Sequence, residues 1–275
     1  MRIALIQIAS PPDEPSKDRR QRAAAMVAEA AQGGADLVVL PELWAAGYFA
    51  FDAYADESEP SDGATVTEFG ALARDLGIHL HAGSYVERLP DGGLRNTAVL
   101  FGPDGTVLHD YSKIHVFGYK SQEAQLLRPG ERLAAADTPF GPIAATTCYD
   151  LRFPELWRRI VDLGARIVVV PAAWPAARLA HWRLFTSVRA VEEQVLVIAC
   201  NAVGSQGGVE LGGHSRIVDP WGEVRAEAGA DEGITYCDVD PGIVRSVREE
   251  FPVLADRLPS YAELCTDSPA NNPRS

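Results

Sequence analysis

The sequence predicts an α/β sandwich, in which two strand-rich halves turn apolar faces inward and carry their helices outside. Three features support that reading. The runs 35–40 (ADLVVL) and 165–170 (ARIVVV) are almost continuously apolar, as strands covered on both faces are. Helical segments at 17–32 and 181–193 alternate with such runs, and the first is closed by Gly33-Gly34. With 47% hydrophobic and 23% charged residues over 275 positions, and no Ser/Gly-rich linker, low-complexity block or internal repeat, the chain suits one globular unit. A single domain is expected over residues 1–250, followed by an extended tail over 251–275. The apolar start of that tail, Phe251, Val253 and Leu254, points to packing on a partner subunit.

The elements follow in order. Residues 2–8 read as a first strand, 11–15 as a loop, 17–32 as an alanine-rich amphipathic helix and 35–40 as the next strand. Glu42 lies just past the carboxyl end of that strand, where open α/β sheets place their ligands. A helix cap or a solvated loop carboxylate fits the same position. The aromatic stretch 44–51 (WAAGYFAF) reads equally as core packing and as a pocket wall. A helix is expected over 62–76, capped near Ser61, and a strand over 78–84. His79 and His81 share one face of that strand but lack further ligands at metal-binding spacing, so a packing role is expected. Strands 94–100 and 106–111 are joined by the turn Gly102-Pro103-Asp104-Gly105, and the second delivers Lys113. Residues 114–132 form an irregular loop that contains Phe117, Tyr119 and Glu123 and ends in Arg128-Pro129-Gly130-Glu131.

The second half is organised around Cys148. Residues 143–147 are apolar or β-branched and follow the turn Phe140-Gly141-Pro142, so they read as a strand. Pro154 suits the first position of a helix, and Glu155 its first turn. Cys148 therefore stands on a strand-to-helix elbow with backbone N–H groups facing the same space. That setting suits a nucleophile, because the N–H groups can hold an oxyanion that forms beside the sulfur. A buried thiol packing as a small hydrophobe also fits this stretch. Beyond it, a strand over 165–170 ends in Pro171-Ala172-Ala173-Trp174-Pro175, which by the strand-end rule overlooks the same site. A helix over 181–193, a strand over 195–200, a glycine-rich loop over 201–212, strands over 213–218, 224–227 and 233–239, and a short helix over 243–250 complete the chain. Cys200 ends an apolar strand and reads as core.

Three motifs taken together, Pro41-Glu42-Leu43-Trp44, Ser112-Lys113-Ile114-His115 and Thr147-Cys148-Tyr149-Asp150-Leu151-Arg152-Phe153-Pro154-Glu155, resemble the Glu-Lys-Cys constellation of the nitrilase superfamily, the carbon–nitrogen hydrolases. Their separations of 71 and 35 residues suit its small members, and the resemblance runs from about residue 3 to about residue 261. It implies a four-layer α-β-β-α sandwich and subunits paired through helices near the nucleophile, hence a homodimer or larger homo-oligomer. It also implies Cys148 as nucleophile, Glu42 as general base and then acid, and Lys113 with the Tyr149 N–H as oxyanion stabilisers. Glu123, six residues before Pro129, matches the family's second glutamate, although a solvated glutamate fits that loop too. No metal or organic cofactor is implied. Residues 171–174, 180–182, 213–215 and 219–222 look most like small amidases of the ω-amidase type, which cleave the terminal amide of short 2-oxo dicarboxylic acid monoamides. Tyr149, Phe117, Trp174 and Arg152 are the expected substrate-binding residues. Arg152 and Arg178 suit a substrate carboxylate, although Arg152 equally suits a structural ion pair with Glu155 or Asp150. The same triad serves nitriles and N-carbamoyl amino acids in the superfamily, and a non-catalytic binding protein with a relic site is the reading outside enzymes.

Composition bounds the partners. A formal net charge of −13 argues against a nucleic-acid or anionic-membrane surface, since both require basic patches. No run reaches a membrane span, and residues 1–8 are too short for a signal-peptide core, so the cytoplasm is the expected compartment. The four cysteines lack CxxC pairing, and free thiols are expected of them.

Overall fold

The computed structural model describes residues 1–258. Its first half runs β1 (Arg2–Gln7), α1 (Ser16–Gln32), β2 (Leu37–Val39), α2 (Ala64–Leu76), β3 (His79–Arg88), β4 (Leu94–Phe101), β5 (Val107–Ser112) and the one-turn α3 (Glu123–Leu126). The second runs β6 (Ile143–Ala145), α4 (Pro154–Asp162), β7 (Ile167–Ala172), α5 (Leu179–Glu193), β8 (Leu196–Asn201), β9 (Val203–Gln206), β10 (Val209–Gly212), β11 (Arg216–Val218), β12 (Val224–Glu227), β13 (Gly233–Asp238) and α6 (Ile243–Glu250).

One sheet has the order β13-β1-β2-β3-β4-β5 and the other β12-β11-β8-β7-β6. In each, three neighbouring strands are parallel, β1-β2-β3 and β6-β7-β8, while the remaining pairings are antiparallel. The period of two along each strand builds the layers. Ile3, Leu5, Leu37 and Val39 of the first sheet meet Ile167, Val169, Leu196 and Ile198 of the second in one core between the sheets. Ala4, Ile6 and Val38 face the other way, onto Ala23, Val27 and Ala30 of α1 and Phe69 and Ala73 of α2. Val168, Val170 and Val197 face Leu156, Trp157 and Ile160 of α4 and Trp182 and Ala190 of α5. The result is the four-layer α-β-β-α sandwich, and each fully buried Val, Ile or Leu in it contributes about 1.5–3 kcal/mol by leaving water.

Several local expectations need correction. Helix α2 begins at Ala64 after Gly63, not at a Ser61 cap. Glu59 serves its amino end instead, accepting the Thr65 N–H at 2.6 Å and the Thr65 hydroxyl at 2.7 Å, because a carboxylate suits the positive end of a helix. Within the expected glycine-rich loop 201–212, residues 203–212 form the β9–β10 hairpin, with Gly207 and Gly208 at positive φ in its turn. The expected tail does not leave the body at 251. Phe251 stacks on Trp221 with ring centroids 6.2 Å apart, residues Val253–Asp256 form a 3₁₀ turn, and Leu254 packs on the α4–α5 layer. Residues 259–275 of the expected tail, Cys265 among them, lie outside the described residues. Of the paired histidines, His79 packs edge-on to Phe140, and burial lowers the pKa of His81 to about 3, so its ring is neutral.

Candidate active site

The exits of β2 and β7 meet, the Glu42 N–H donating to the Ala172 carbonyl at 3.4 Å, and β6 runs parallel beside β7. Their exits carry Glu42, Ala173-Trp174 and Cys148. Glu42 is seated by a bulge in β3 opposite. There Gly83 has φ +68°, and a Cβ on it would come within 1.9 Å of the Pro41 carbonyl oxygen, so only glycine lets the two backbones meet. Next to it, the Ser84 N–H donates to the Pro41 carbonyl at 3.2 Å and the Ser84 hydroxyl accepts the Leu43 N–H at 3.0 Å. Glu42 is wholly buried, which removes the solvated-loop reading.

Lys113 leaves β5 at the sheet edge. Its N–H donates to the Asn96 carbonyl, and its own carbonyl accepts the Gly130 N–H, both at 2.8 Å. A Cβ on Gly130 would lie 2.0 Å from the Ser112 oxygen, so the Pro129-Gly130 turn fits only with glycine. That turn follows α3, whose first residue, Glu123, is also fully buried. The solvated alternative for Glu123 is thereby excluded. Its side chain points inward because the Tyr48 hydroxyl (2.7 Å) and the Phe117 N–H (2.8 Å) both donate to Oε2.

The Lys113 ammonium joins the two carboxylates, donating to Glu42 Oε1 at 2.8 Å and to Glu123 Oε1 and Oε2 at 2.7 and 3.0 Å. Asn96 Nδ2 donates to Glu42 Oε1 at 2.8 Å, and the Ala173 N–H donates to Glu42 Oε2 at 2.9 Å. Asn96 and the Ala173 amide have no marker in the sequence; a lone amide on a strand is visible only once β4 is seen to face Glu42.

Cys148 begins a 3₁₀ turn, Cys148–Arg152, that precedes α4 with Pro154 at its start. Its φ is +47°, a left-handed conformation unfavourable for a side-chain-bearing residue and typical of functional elbows. Only 7% of the residue is exposed, at the floor of a cleft. Burial raises the thiol's pKa well above the ordinary value and the Glu42 charge adds to that, with Lys113 opposing. The resting sulfur is therefore a thiol. Burial also raises the Glu42 pKa; the Lys113 charge opposes this and that of Glu123 adds to it. For Lys113 itself, burial favours the neutral amine, but the two carboxylates outweigh it and the net shift is upward. A protonated cysteine, a base of raised pKa beside it and a permanent ammonium make an arrangement suited to proton transfer coupled to nucleophilic attack.

All eight sequence-predicted site residues come together. Glu42, Lys113 and Glu123 lie beneath Cys148, and Phe117, Tyr149, Arg152 and Trp174 line the cleft above it with Tyr48 and Arg178. The cleft is narrow and opens to solvent above Cys148. The aromatic stretch is both wall and core, since Tyr48 and Phe49 reach the cleft while Trp44 is buried against Phe69. The expected alternative for Arg152, an ion pair with Glu155 or Asp150, does not form. Its guanidinium lies 4.9 Å from the Trp174 ring, 5.1 Å from Phe185 and 5.9 Å from Tyr149. Arg178 lies 5.6 Å from the Phe117 ring. Among the described residues neither arginine has a carboxylate within ion-pair distance.

The sequence model of the carbon-nitrogen hydrolase family matches residues 2–249. The chain is a carbon–nitrogen hydrolase. This hydrolase is 37% identical over 262 residues to the 2-oxoglutaramate amidase of Paenarthrobacter nicotinovorans, covering 93% of this chain and 88% of that one. It is 36% identical over 266 residues to omega-amidase NIT2 of Homo sapiens, covering 93% and 94%. Among solved structures, Saccharomyces cerevisiae Nit3, a nitrilase-superfamily member, superposes with a TM-score of 0.84 at 32% identity, covering 92% of this chain and 94% of that one. As a member of the family, this hydrolase acts on carbon–nitrogen bonds other than peptide bonds.

Proposed function

We propose that this hydrolase is an ω-amidase-type enzyme that cleaves the terminal amide of a short dicarboxylic or 2-oxo acid monoamide to the acid and ammonia. The observation that carries the reading is the cleft itself, with a thiol above a buried Glu–Lys–Glu cluster and two carboxylate-free guanidinium groups nearby. In a chain of net charge −13, two arginines that lack an acidic partner among the described residues support a place for a ligand's carboxylate. The relatives' names, 2-oxoglutaramate amidase and omega-amidase, support the same substrate class.

The chemistry then follows from the geometry. Cys148 Sγ attacks the amide carbon as its proton passes to Glu42, and the carbonyl electron pair moves onto oxygen. The Lys113 ammonium and the Tyr149 N–H hold that oxyanion. The C–N bond breaks when Glu42 returns the proton to nitrogen, so ammonia leaves and a thioester remains. A water then attacks the thioester carbon, giving its proton to Glu42. Collapse expels the sulfur, which takes the proton back, and the acid is released. Glu123 holds Lys113 in place throughout.

A panel of 2-oxosuccinamate, succinamate, propionamide, propionitrile and N-carbamoylglycine, scored by ammonia release, tests the reading. The anionic monoamides are expected to exceed propionamide by about 10- to 10²-fold in kcat/KM, since a charge-assisted hydrogen bond to a carboxylate contributes about 1.5–3 kcal/mol. Arg152→Ala or Arg178→Ala is expected to raise KM for succinamate about tenfold while leaving propionamide within about threefold. Preference for the nitrile or the carbamoyl compound would replace the amidase reading.

The reading extends to assembly and compartment. Leu184, Val188 and Val191 form an exposed apolar row at i, i+4 and i+7 on α5, continuous with Trp221, Phe251 and Val253. A second copy is the occupant we assign to that row, giving a homodimer in which α5 lies near the nucleophile of each subunit. Leu184→Glu with Val188→Glu is expected to halve the mass in light scattering; a mass unchanged from wild type would remove this face from the interface. Cys148, Cys200 and Cys237 are free thiols, in keeping with a cytoplasmic enzyme.

A further inference from the structure

The proposed mechanism needs Lys113 and Cys148 held in a fixed relation to one another, yet they hang from different sheets. Lys113 leaves β5, the outermost strand of the first sheet, whose hydrogen-bond ladder runs to β4. Cys148 follows β6, the outermost strand of the second, whose ladder runs to β7. Neither ladder holds the one residue against the other.

What spans the gap is the carboxylate of Asp150, two residues past the cysteine and wholly buried. Oδ2 accepts the Thr147 N–H at 3.0 Å on the elbow side and the Tyr111 hydroxyl at 2.7 Å on the β5 side. Oδ1 accepts the His115 N–H at 3.0 Å and lies 2.8 Å from His115 Nδ1. Facing a carboxylate oxygen, Nδ1 carries the ring proton. The Tyr111 hydroxyl also accepts the Ile114 N–H at 3.4 Å, so both residues that follow Lys113 are tied to this centre. His115 is further held by stacking on Phe153, with centroids 3.6 Å apart and planes 7° from parallel. Phe153 is the residue that leads from the elbow into α4.

We propose that Asp150 is a positioning residue, acting with His115 and Tyr111 as the polar tie that sets the Lys113 ammonium relative to the Cys148 sulfur. It touches neither the sulfur nor the ammonium, and its effect passes through two residues of backbone on each side. Four donors converging on one buried carboxylate make a tie of low freedom, because ionised acceptors form the shorter and stronger hydrogen bonds. When the tie loosens, the ammonium and sulfur wander by some fraction of an ångström, and misplacement of about 1 Å costs on the order of 10²-fold. The cost falls on the chemical step, so kcat should suffer while KM does not.

The proposal rests on Cys148 and Lys113 as the reacting pair, and two substitutions at His115 separate the tie from packing. His115→Asn places an amide donor near the position of Nδ1 but loses the stack on Phe153. His115→Phe keeps the stack and loses the donor. Both are measured for kcat and KM on succinamate and for the rate of Cys148 alkylation by iodoacetamide, which needs no turnover. The expected result is a fall of tenfold or more in kcat and in alkylation rate for His115→Phe, with KM within threefold, and values within threefold of wild type for His115→Asn. The proposal is overturned if both variants stay within threefold of wild type, if both fall alike, or if His115→Asn alone falls, the pattern that packing on Phe153 would give. If His115→Phe does not fold, Tyr111→Phe removes a different donor from the same carboxylate. A drop of threefold or more in kcat at unchanged KM supports the tie, and a smaller one overturns it. Cys148→Ala is the control: turnover surviving in it would defeat the nucleophile assignment, whatever the pattern at His115.

Discussion

Cys148→Ala is expected to lower kcat/KM on succinamate by on the order of 10³-fold or more while the fold persists. In the proposed mechanism the sulfur forms the thioester, and no neighbouring group is placed to replace it: Glu42 and Glu123 are both engaged by Lys113. Loss of a covalent nucleophile removes several kcal/mol of transition-state stabilisation, each 1.36 kcal/mol being about tenfold in rate. The structural cost is small. Alanine faces the same left-handed φ of +47° as cysteine, and it leaves a gap of one sulfur at a position that opens on the cleft. Circular dichroism should be unchanged and Tm shifted by only a few degrees. Activity within tenfold of wild type would show that the nucleophile lies elsewhere.

Lys113→Arg is expected to be nearly as damaging as Lys113→Ala, at 10²-fold or more in kcat/KM, although it preserves the charge. The ammonium sits 2.8 Å from Glu42 Oε1 and 2.7 Å from Glu123 Oε1, inside a side-chain environment with no solvent exposure. A guanidinium is larger, planar and forked, so it must displace one carboxylate or enter the space of the substrate oxygen. Lys113→Ala acts differently, leaving two buried carboxylates without their cation, which costs about 3–5 kcal/mol of stability. Its Tm should therefore fall further than that of Cys148→Ala. Assays well below each Tm keep unfolding out of the comparison. Recovery by arginine to within about tenfold of wild type would take Lys113 out of the catalytic centre, because a merely structural cation tolerates the exchange.

Much of this was legible in the amino-acid order because strands and their exits are local. Continuous apolar runs identified β2 and β7, turn chemistry at 102–105 identified β4 and β5, and Pro154 identified the start of α4. The elbow at Cys148 was readable for the same reason, as an apolar strand stopping six residues before that proline. Glu42, Lys113 and Cys148 stood out because each ends such a strand within a motif. What the order of residues does not specify is which groups, distant in sequence, share one buried volume. That Glu123 is a buried partner of Lys113 rather than a solvated loop residue depends on Tyr48 and Phe117 closing over it from either side. That Arg152 lies over aromatic rings rather than beside Asp150 depends on Asp150 being taken already by Tyr111 and His115. The hairpin at 203–212 and the return of Phe251 onto Trp221 likewise exist only because a surface was there to receive them. Local propensity and periodicity determined the elements and the residues at their ends. The pairing of polar groups was decided by tertiary packing, because a buried charge must find its partner wherever the fold brings one within about 3 Å.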